Sequence, residues 1–281
     1  MKIQSFKDII SDYDTVLLDS YGVLKNYHGI ISGAEESLRN IRSLNKRYRI
    51  LTNDASSSQE KLSAKFARGG ITIRPHRIIT SGLMTQRFLS SKQIIGKILY
   101  LGTDDSADFI VRAGHKKISV TEFSDDAYED VGCVVFLDDE GFDMNTAINK
   151  VVNLLRKRAI PVIVANSDLI YPVARNDVSI ATGAIARLVE SIVGRKFIYY
   201  GKPDVQMFLY AYEDLRKDNP DLDKSKILMV GDTLHTDILG ATKFGIDTVL
   251  VLSGNTSKVD ADWMIKSTGI SPDYICESIL S

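Results

Sequence analysis

Short apolar segments alternate with amphipathic segments along the chain, and this pattern predicts repeated strand and helix units. Nine apolar segments are predicted as strands, over 15–18, 49–51, 77–80, 97–101, 132–137, 161–165, 197–200, 226–230 and 248–252. Strands that alternate with helical patterns are typical of parallel sheets covered by helices. Because nine strands fit two sheets better than one very wide sheet, the pattern predicts two sheets.

Helices are predicted between these strands from capping residues and apolar periodicity. Two segments, Ser32–Glu35 and Ser57–Glu60, place a Ser three residues before a Glu, which is the pattern of a capping box at a helix start. Further helices are expected over 145–158, 182–193, 204–217 and 234–244. The alternating units therefore predict an α/β protein.

Composition and net charge argue against some classes of binding partner. The 281 residues are 44% hydrophobic and 25% charged, as in an average globular protein of one large or two ordinary domains. A net charge of −1 gives no overall attraction to nucleic acid or to an anionic membrane. The chain begins without an apolar leader and has no apolar run long enough to span a bilayer, so we expect a cytoplasmic protein with a small-molecule partner.

Polar side chains follow four of the apolar segments, at the strand ends where open parallel sheets bind ligands. They are Asp19, Thr52 with Asn53, Lys202, and Asp232 with Asp237. A carboxylate, a hydroxyl with an amide, an ammonium group and a pair of carboxylates can together hold a phosphate and a hard cation. The spacing therefore predicts one phosphate site built from distant parts of the chain.

Each of these residue types has a role in phosphoryl chemistry. Asp19 can act as a carboxylate nucleophile while Lys202 neutralises the charge of the phosphoryl group. Thr52 and Asn53 can donate hydrogen bonds to the phosphoryl oxygens. A small phosphorylated molecule is the expected partner.

The same acids suit a magnesium ion. Mg²⁺ is usually held by one or two carboxylates and keeps several waters, and Asp19 and Asp232 can supply those carboxylates. Asp237 is then expected to orient these metal-binding groups from the next layer of residues. We therefore expect Mg²⁺ as the cofactor.

In their order and spacing, the four segments resemble the motifs of the haloacid dehalogenase-like hydrolase superfamily, and within it the NagD-like phosphatases. The most specific signal is Gly231-Asp232-x-x-x-Thr236-Asp237, with Gly201-Lys202-Pro203 upstream. The resemblance implies a phosphoric monoester hydrolase that forms an aspartyl-phosphate at Asp19. It also implies a doubly wound parallel-sheet core domain with an inserted α/β cap domain.

The length of the chain between Thr52 and Lys202 leaves room for that cap, because it far exceeds one crossover helix. We predict a discontinuous core domain over 1–87 and 182–281 and a cap over 88–181. In the family the cap closes over the site and selects substrates. A homodimer through the cap is a further expectation.

One position departs from the family pattern. Phosphatases of this superfamily usually carry a general acid, a second Asp, two residues after the nucleophile, and here that residue is Tyr21. The same position reaches the metal through its backbone carbonyl, which Tyr21 also provides, so the resemblance keeps Tyr21 among the metal ligands. His235 and His28 are alternative proton donors, although both positions are more typical of surface residues.

Two other functions remain open on the sequence. Asp19-x-Tyr21-Gly22 also resembles the first motif of the haloacid dehalogenases proper, which need no metal. A protein that binds a phosphorylated ligand with little or no turnover is the third candidate. Metal dependence distinguishes a phosphatase from a dehalogenase, and ligand binding without turnover identifies the phospholigand-binding protein.

Overall fold

The computed structural model describes residues 2–174 and 177–280. Its strands are β1 (Thr15–Leu18), β2 (Lys25–Asn26), β3 (Gly29–Ile30), β4 (Arg47–Thr52), β5 (Ile78–Thr80), β6 (Lys97–Leu101), β7 (Lys117–Ser119), β8 (Val131–Phe136), β9 (Val162–Val164), β10 (Ile170–Pro172), β11 (Val178–Ile180), β12 (Ile198–Tyr199), β13 (Ile227–Gly231), β14 (Asp247–Val251) and β15 (Tyr274–Cys276). Its α-helices are α1 (Phe6–Ile10), α2 (Ala34–Ser43), α3 (Gln59–Arg68), α4 (Ser81–Ser90), α5 (Asp108–Arg112), α6 (Met144–Lys157), α7 (Thr182–Val193), α8 (Val205–Asp218), α9 (Leu239–Phe244) and α10 (Ala261–Thr268).

The chain forms two compact units. The first contains Met1–Thr52, Glu60–Ile79 and Lys202–Ser281, and the second contains Asn53–Gln59 and Thr80–Gly201. Each unit has its own larger sheet, of six and of five strands. The predicted pair of sheets is therefore confirmed.

The sheet of the first unit has the strand order β15-β14-β13-β1-β4-β5. β1 is parallel to β13 on one side and to β4 on the other. β4 is the next strand of this sheet after β1 in the chain, whereas β13 comes only after the whole second unit. Such a reversal of strand order leaves a crevice at the carboxyl ends of the central strands, where ligands bind.

Helices cover both faces of this sheet. On one face α1, α2 and α3 pack against Val16 and Leu18 of β1 and their neighbours. On the other face Leu250 of β14 packs with Leu234 and Ile238. Strands buried on both faces read as continuous apolar segments, as these do. The doubly wound α/β core is confirmed.

The second unit contains a parallel sheet of order β12-β9-β8-β6-β7. Its core joins these strands to α6 and to α7, through Ile185, Ala186 and Val189 of α7. Helix α4 also packs inside this unit, because a β-carbon on Gly82 would overlap the Phe109 ring of α5.

These contacts shift the predicted domain bounds. The prediction placed α7 and most of α4 in the core domain, which was to include 1–87 and 182–281. The structure groups both helices with the five-stranded sheet, so the second unit extends beyond 88–181 at both ends. The apolar face of α7 packs against the strands of the second unit. The apolar pattern predicts that one face of the helix is buried, but it does not show which of the two sheets covers that face.

The helix starts show one clear error. Ser32 does not cap α2, which begins at Ala34 with Gly33 at the N-cap and no side-chain cap. Gly33 has a φ of 85°, a left-handed conformation that favours glycine. The prediction for α7 matches its observed bounds, and Gly194 ends that helix in a left-handed conformation.

The helices are short compared with the thickness of a bilayer. α6 and α8, with 14 residues each, fall below the ~20 residues that a spanning helix needs. Across residues 2–174 and 177–280, none of the helices has the length and apolar character required to cross a membrane.

Candidate active site

Three carboxylates of the first unit converge at the carboxyl ends of β1 and β13. Asp19 directly follows β1 and Asp232 directly follows β13, while Asp237 lies a short turn further along the chain. The Asp19 N–H donates to the Val230 carbonyl at 2.9 Å, which extends the pairing of the two strands past β1. One oxygen of each carboxylate lies within 4.8 Å of the others, and all three residues are buried.

Lys202 supplies the opposing charge. Its side chain is 2% exposed, and Nζ donates to Asp19 Oδ1 and to Asp237 Oδ1, both at 2.6 Å. Burial alone would lower the pKa of Lys202, but the two carboxylates raise it above its ordinary value. Lys202 therefore stays protonated, as a residue that neutralises a phosphoryl group must.

The carboxylate of Asp232 is held from both sides. Its Oδ2 accepts the backbone N–H of Asn255 at 2.6 Å, and its Oδ1 accepts the Thr233 hydroxyl at 2.9 Å. Burial, followed by the negative charge of Asp19, raises the pKa of Asp232 to about 7. A divalent cation between the acids would offset this repulsion and favour the ionised carboxylates.

A π-helical turn over Leu234–Ile238 places Asp237. Because a β-carbon on Gly231 would overlap the Asp237 side chain, this glycine lets Asp237 fold back over the end of β13. Asp237 Oδ1 accepts a hydrogen bond from Lys202 Nζ, and Oδ2 accepts one from the Thr233 N–H at 3.1 Å. Through these contacts Asp237 holds the Lys202 ammonium group in place, which agrees with the predicted orienting role.

Tyr21 lies half-buried on the loop that follows Asp19. Burial, followed by the negative charge of Asp232, raises the pKa of Tyr21 above its usual range. The phenol is therefore a weaker acid than an ordinary tyrosine, and much weaker than the carboxylic acid that the family usually has here.

Thr52 and Asn53 are adjacent in the chain but differ in their surroundings. Thr52 ends β4 of the first unit and is buried. Asn53 groups with the second unit, and its Nδ2 donates to Ser167 Oγ at 3.2 Å and to Asp168 Oδ1 at 2.9 Å. The structure therefore brings together Asp19, Lys202, Asp232 and Asp237, and it gives Asn53 partners that the sequence did not predict.

The two histidines considered as proton donors are both exposed. His28 lies in the turn between β2 and β3, with its ring 4.2 Å from that of Tyr27. Their exposure matches the surface interpretation of both residues.

The second unit has an acidic pair after β8. Asp139 Oδ2 accepts the Tyr171 hydroxyl at 3.0 Å, and Asp138 Oδ1 accepts the Asp139 N–H at 3.0 Å. Burial, followed by the charge of Asp139, raises the pKa of Asp138 to about 6.

One segment at the first unit's site was not predicted from the sequence. The loop Ser253–Thr256 follows β14, and its Asn255 N–H binds Asp232. The rule that ligands bind at strand ends applies to β14 as much as to β1 and β13. The polar string after β14 was therefore the signal that could have identified this loop.

Comparisons with known proteins agree with this geometry. The haloacid dehalogenase-like hydrolase family matches residues 16–116, and a second model, described as HAD-hydrolase-like, matches residues 199–281. A solved structure from Cytophaga hutchinsonii, described as a possible sugar phosphatase of the HAD superfamily, is 47% identical, with a TM-score of 0.95. The alignment covers 100% of this chain and 99% of that one.

Two further solved structures share the fold. NagD from Escherichia coli K-12 is 26% identical, with a TM-score of 0.74, over 96% of this chain and 98% of that one. A glycerol phosphate phosphatase from Mycobacterium tuberculosis, solved in complex with magnesium, is 23% identical, with a TM-score of 0.76. That match covers 99% of this chain and 78% of that one.

The chain belongs to the haloacid dehalogenase-like hydrolases, and the similarity to NagD confirms the predicted branch. The relatives also confirm the predicted enzyme class, a phosphoric monoester hydrolase of this family.

Proposed function

We propose that this protein is a magnesium-dependent phosphatase that acts on a small phosphorylated metabolite through a covalent aspartyl-phosphate at Asp19. The observation that carries the proposal is the buried group of three carboxylates around one lysine. Lys202 donates hydrogen bonds to both Asp19 and Asp237. Asp232 lies beside them, and hydrogen bonds from Asn255 and Thr233 fix the orientation of its carboxylate. No single acid of the group would support the proposal alone.

The donor set suits a magnesium ion. Carboxylate oxygens are the hard ligands that Mg²⁺ takes from proteins, usually one or two at a time, with water completing the octahedron. Asp19 and Asp232 are the carboxylates that would hold it, together with the backbone carbonyl of Tyr21. When bound, the ion would stabilise negative charge on the phosphoryl oxygens.

The contacts of Asp19 indicate which oxygen reacts. Its Oδ1 accepts both the Ser20 N–H at 2.7 Å and Lys202 Nζ at 2.6 Å. We therefore expect Oδ2 to attack phosphorus, which forms the Asp19–phosphorus bond and breaks the bond from phosphorus to the leaving oxygen. Water then attacks phosphorus, releases inorganic phosphate and restores the carboxylate. Lys202 neutralises the phosphoryl charge throughout.

The weak acidity of Tyr21 indicates which leaving groups the substrates should carry. A general acid contributes about 10² to 10⁴ in rate by protonating the leaving oxygen, and it works best with a pKa near the operating pH. Tyr21 is a phenol whose pKa is raised further. Substrates whose leaving groups depart as stable anions, such as aryl phosphates, acyl phosphates and anhydrides, should therefore react best.

The dehalogenase alternative keeps one supporting observation, which is Tyr21 itself in the Asp-x-Tyr-Gly string. It predicts hydrolysis of a haloacid without metal. The acids Asp232 and Asp237 support the phosphatase, because a metal-independent enzyme has no need of two further buried carboxylates at this position.

The test is hydrolysis of p-nitrophenyl phosphate with Mg²⁺ and with EDTA, in the wild type and in Asp19→Asn. We expect turnover with Mg²⁺ only, and a loss of at least about 10³-fold in Asp19→Asn because the nucleophile is gone. Asp14→Asn is the matched control, since Asp14 is an exposed acid just before β1, at the opposite end of that strand. Full activity in EDTA, or in Asp19→Asn, would contradict the proposal.

A further inference from the structure

We propose that the loop Ser253–Thr256, which we call the β14 loop, positions Asp232 and thereby sets the affinity of the site for Mg²⁺. The inference rests on the proposed function, because it concerns the same metal. It assigns a role to a segment that carries none of the four sequence motifs.

The β14 loop holds Asp232 by its main chain. The Asn255 N–H donates to Asp232 Oδ2 at 2.6 Å, and the Thr256 N–H donates to the Asp232 carbonyl at 3.2 Å. Carboxylates that accept backbone N–H groups are held in charge-assisted hydrogen bonds, which are stronger than neutral ones. The carboxylate and the backbone of Asp232 are therefore both tied to this loop.

A side-chain relay from the same loop reaches the other carboxylate oxygen. Asn255 Nδ2 donates to Thr233 Oγ1 at 2.9 Å, and Thr233 Oγ1 in turn donates to Asp232 Oδ1 at 2.9 Å. Because the amide occupies the Thr233 oxygen as an acceptor, the hydroxyl proton is directed toward Asp232. Asn255 therefore controls both oxygens, one directly and one through Thr233.

Two glycines enclose the same carboxylate. A β-carbon on Gly254 would overlap Asp232 Oδ2, and so would a β-carbon on Gly22, the residue after Tyr21. Gly22 has a φ of 75°, whereas Gly254 has an ordinary φ. The space that Asp232 occupies therefore exists only because both neighbours lack a side chain.

Ser253 joins the two glycine segments. Its Oγ donates to the Gly22 carbonyl at 2.7 Å. The β14 loop is thus bonded both to Asp232 and to the segment that carries the Tyr21 carbonyl, two of the expected metal ligands. Groups that orient metal ligands typically change metal affinity 10- to 100-fold when they are altered.

Gly254→Ala tests the proposal most directly. The φ of Gly254 lies outside the left-handed region, and the new methyl group would overlap both the Asp232 carboxylate and the backbone of Gly22, which follows Tyr21. We expect the Kd for Mg²⁺, measured by calorimetric titration of the protein with Mg²⁺ alone, to rise about 10- to 100-fold. Turnover of p-nitrophenyl phosphate should fall at low Mg²⁺ and recover toward the wild-type rate at saturating Mg²⁺.

Gly69→Ala is the control, because its β-carbon would crowd Ile30 and touches none of the three acids. Its Mg²⁺ affinity should equal that of the wild type. If Gly254→Ala does not fold, Ser253→Ala removes the bond to the Gly22 carbonyl without adding atoms, and we expect it to weaken Mg²⁺ binding about 10-fold.

The outcomes separate the two proposals. A wild type that does not bind Mg²⁺ would contradict the proposed function itself. A wild type that binds Mg²⁺, with Gly254→Ala and Ser253→Ala binding it equally well, would contradict only the role of the β14 loop. A fall in turnover that saturating Mg²⁺ does not restore, with Mg²⁺ affinity unchanged, would also overturn that role.

Discussion

Tyr21 stands where phosphatases of this family usually have an acidic proton donor. Restoring the carboxylic acid with Tyr21→Asp should raise the turnover of alkyl phosphates by up to about 10² to 10⁴, because alkoxide leaving groups need a proton. Aryl phosphates should change much less, since a nitrophenolate leaves without one. Steady-state rates with a matched pair of alkyl and aryl phosphates at saturating Mg²⁺ check this prediction.

Tyr21→Phe is the control for that experiment, because it keeps the ring and removes only the hydroxyl. Its rates should stay close to those of the wild type for both esters. Equal hydrolysis of alkyl and aryl phosphates by the wild type would mean that another group donates the proton. His235→Ala would then show whether that exposed histidine is the donor.

The residues found from the sequence share a common physical basis. Asp19 and Asp232 end parallel strands, so the geometry of the sheet alone brings them to one edge. Gly254 and the Asn255 N–H could not be found in this way. A main-chain donor leaves no trace in residue type, and the need for a glycine depends on the carboxylate that packs against it.

At the scale of the secondary-structure elements, the π-helical turn Leu234–Ile238 depends on one glycine. In Gly231→Ala the β-carbon would overlap Asp237, so the turn and the bond from Asp237 to Lys202 must shift. We expect a loss of about 1–3 kcal/mol in the free energy of unfolding, as for other overpacked sites, together with a fall in turnover. Urea unfolding and steady-state rates measure the two effects.

Asp143→Ala is the control for Gly231→Ala, because we expect it to lower the free energy of unfolding without changing turnover. Asp143 caps α6 of the second unit, and its Oδ1 accepts the Thr146 N–H at 2.9 Å. Loss of such a cap costs about 1 kcal/mol. Unchanged turnover by Gly231→Ala would contradict the role given to this turn.

The elements themselves were predicted unevenly. All nine predicted strands are present, because strands buried on both faces leave long apolar segments. Six further strands were missed, because each has only two or three residues: β2, β3, β7, β10, β11 and β15. The helix predicted over 234–244 is divided into the π-helical turn and α9, because the packing of Asp237 over Gly231 is a tertiary contact.

At the scale of the whole molecule, the half-buried carboxyl of Asp138 gives stability a pH dependence. Its pKa of about 6 lies above the ordinary value, so the folded state binds the proton more tightly than the unfolded state. This contribution to stability is therefore present at low pH and is lost as the pH rises through about 6. We expect Asp138→Asn to raise the Tm at pH 8 and to change it little at pH 4.

Thermal unfolding at the two pH values checks that prediction. Glu140→Gln is the graded control, because the charge of the exposed Glu140 contributes to the same pKa shift, but less than burial does. It should raise the Tm at pH 8 by a smaller amount. An Asp138→Asn variant less stable than the wild type at pH 8 would contradict the assignment.

The homodimer expected through the cap stays a prediction, and the hairpin of the second unit is the surface on which we expect it. Ile170 pairs with Ile180 and Pro172 with Val178, so one face of this hairpin is apolar. Ile170, Val178 and Ile180 are each more than half exposed. Patches of this kind on a folded domain mark interaction surfaces.

Val178→Lys would place a charge in that face. We expect the wild type to be a dimer by light scattering and the variant to be a monomer, with turnover of p-nitrophenyl phosphate as the check on folding. A monomeric wild type would rule out the homodimer.

The central claim is that Asp19 becomes phosphorylated during turnover. The most direct measurement is to quench the enzyme during hydrolysis of p-nitrophenyl phosphate, reduce it with borohydride, and identify residue 19 by peptide mass spectrometry. An aspartyl-phosphate is reduced to homoserine, so we predict homoserine at position 19 only when Mg²⁺ and substrate are both present. Rapid turnover with an unmodified Asp19 at every quench time would contradict the account.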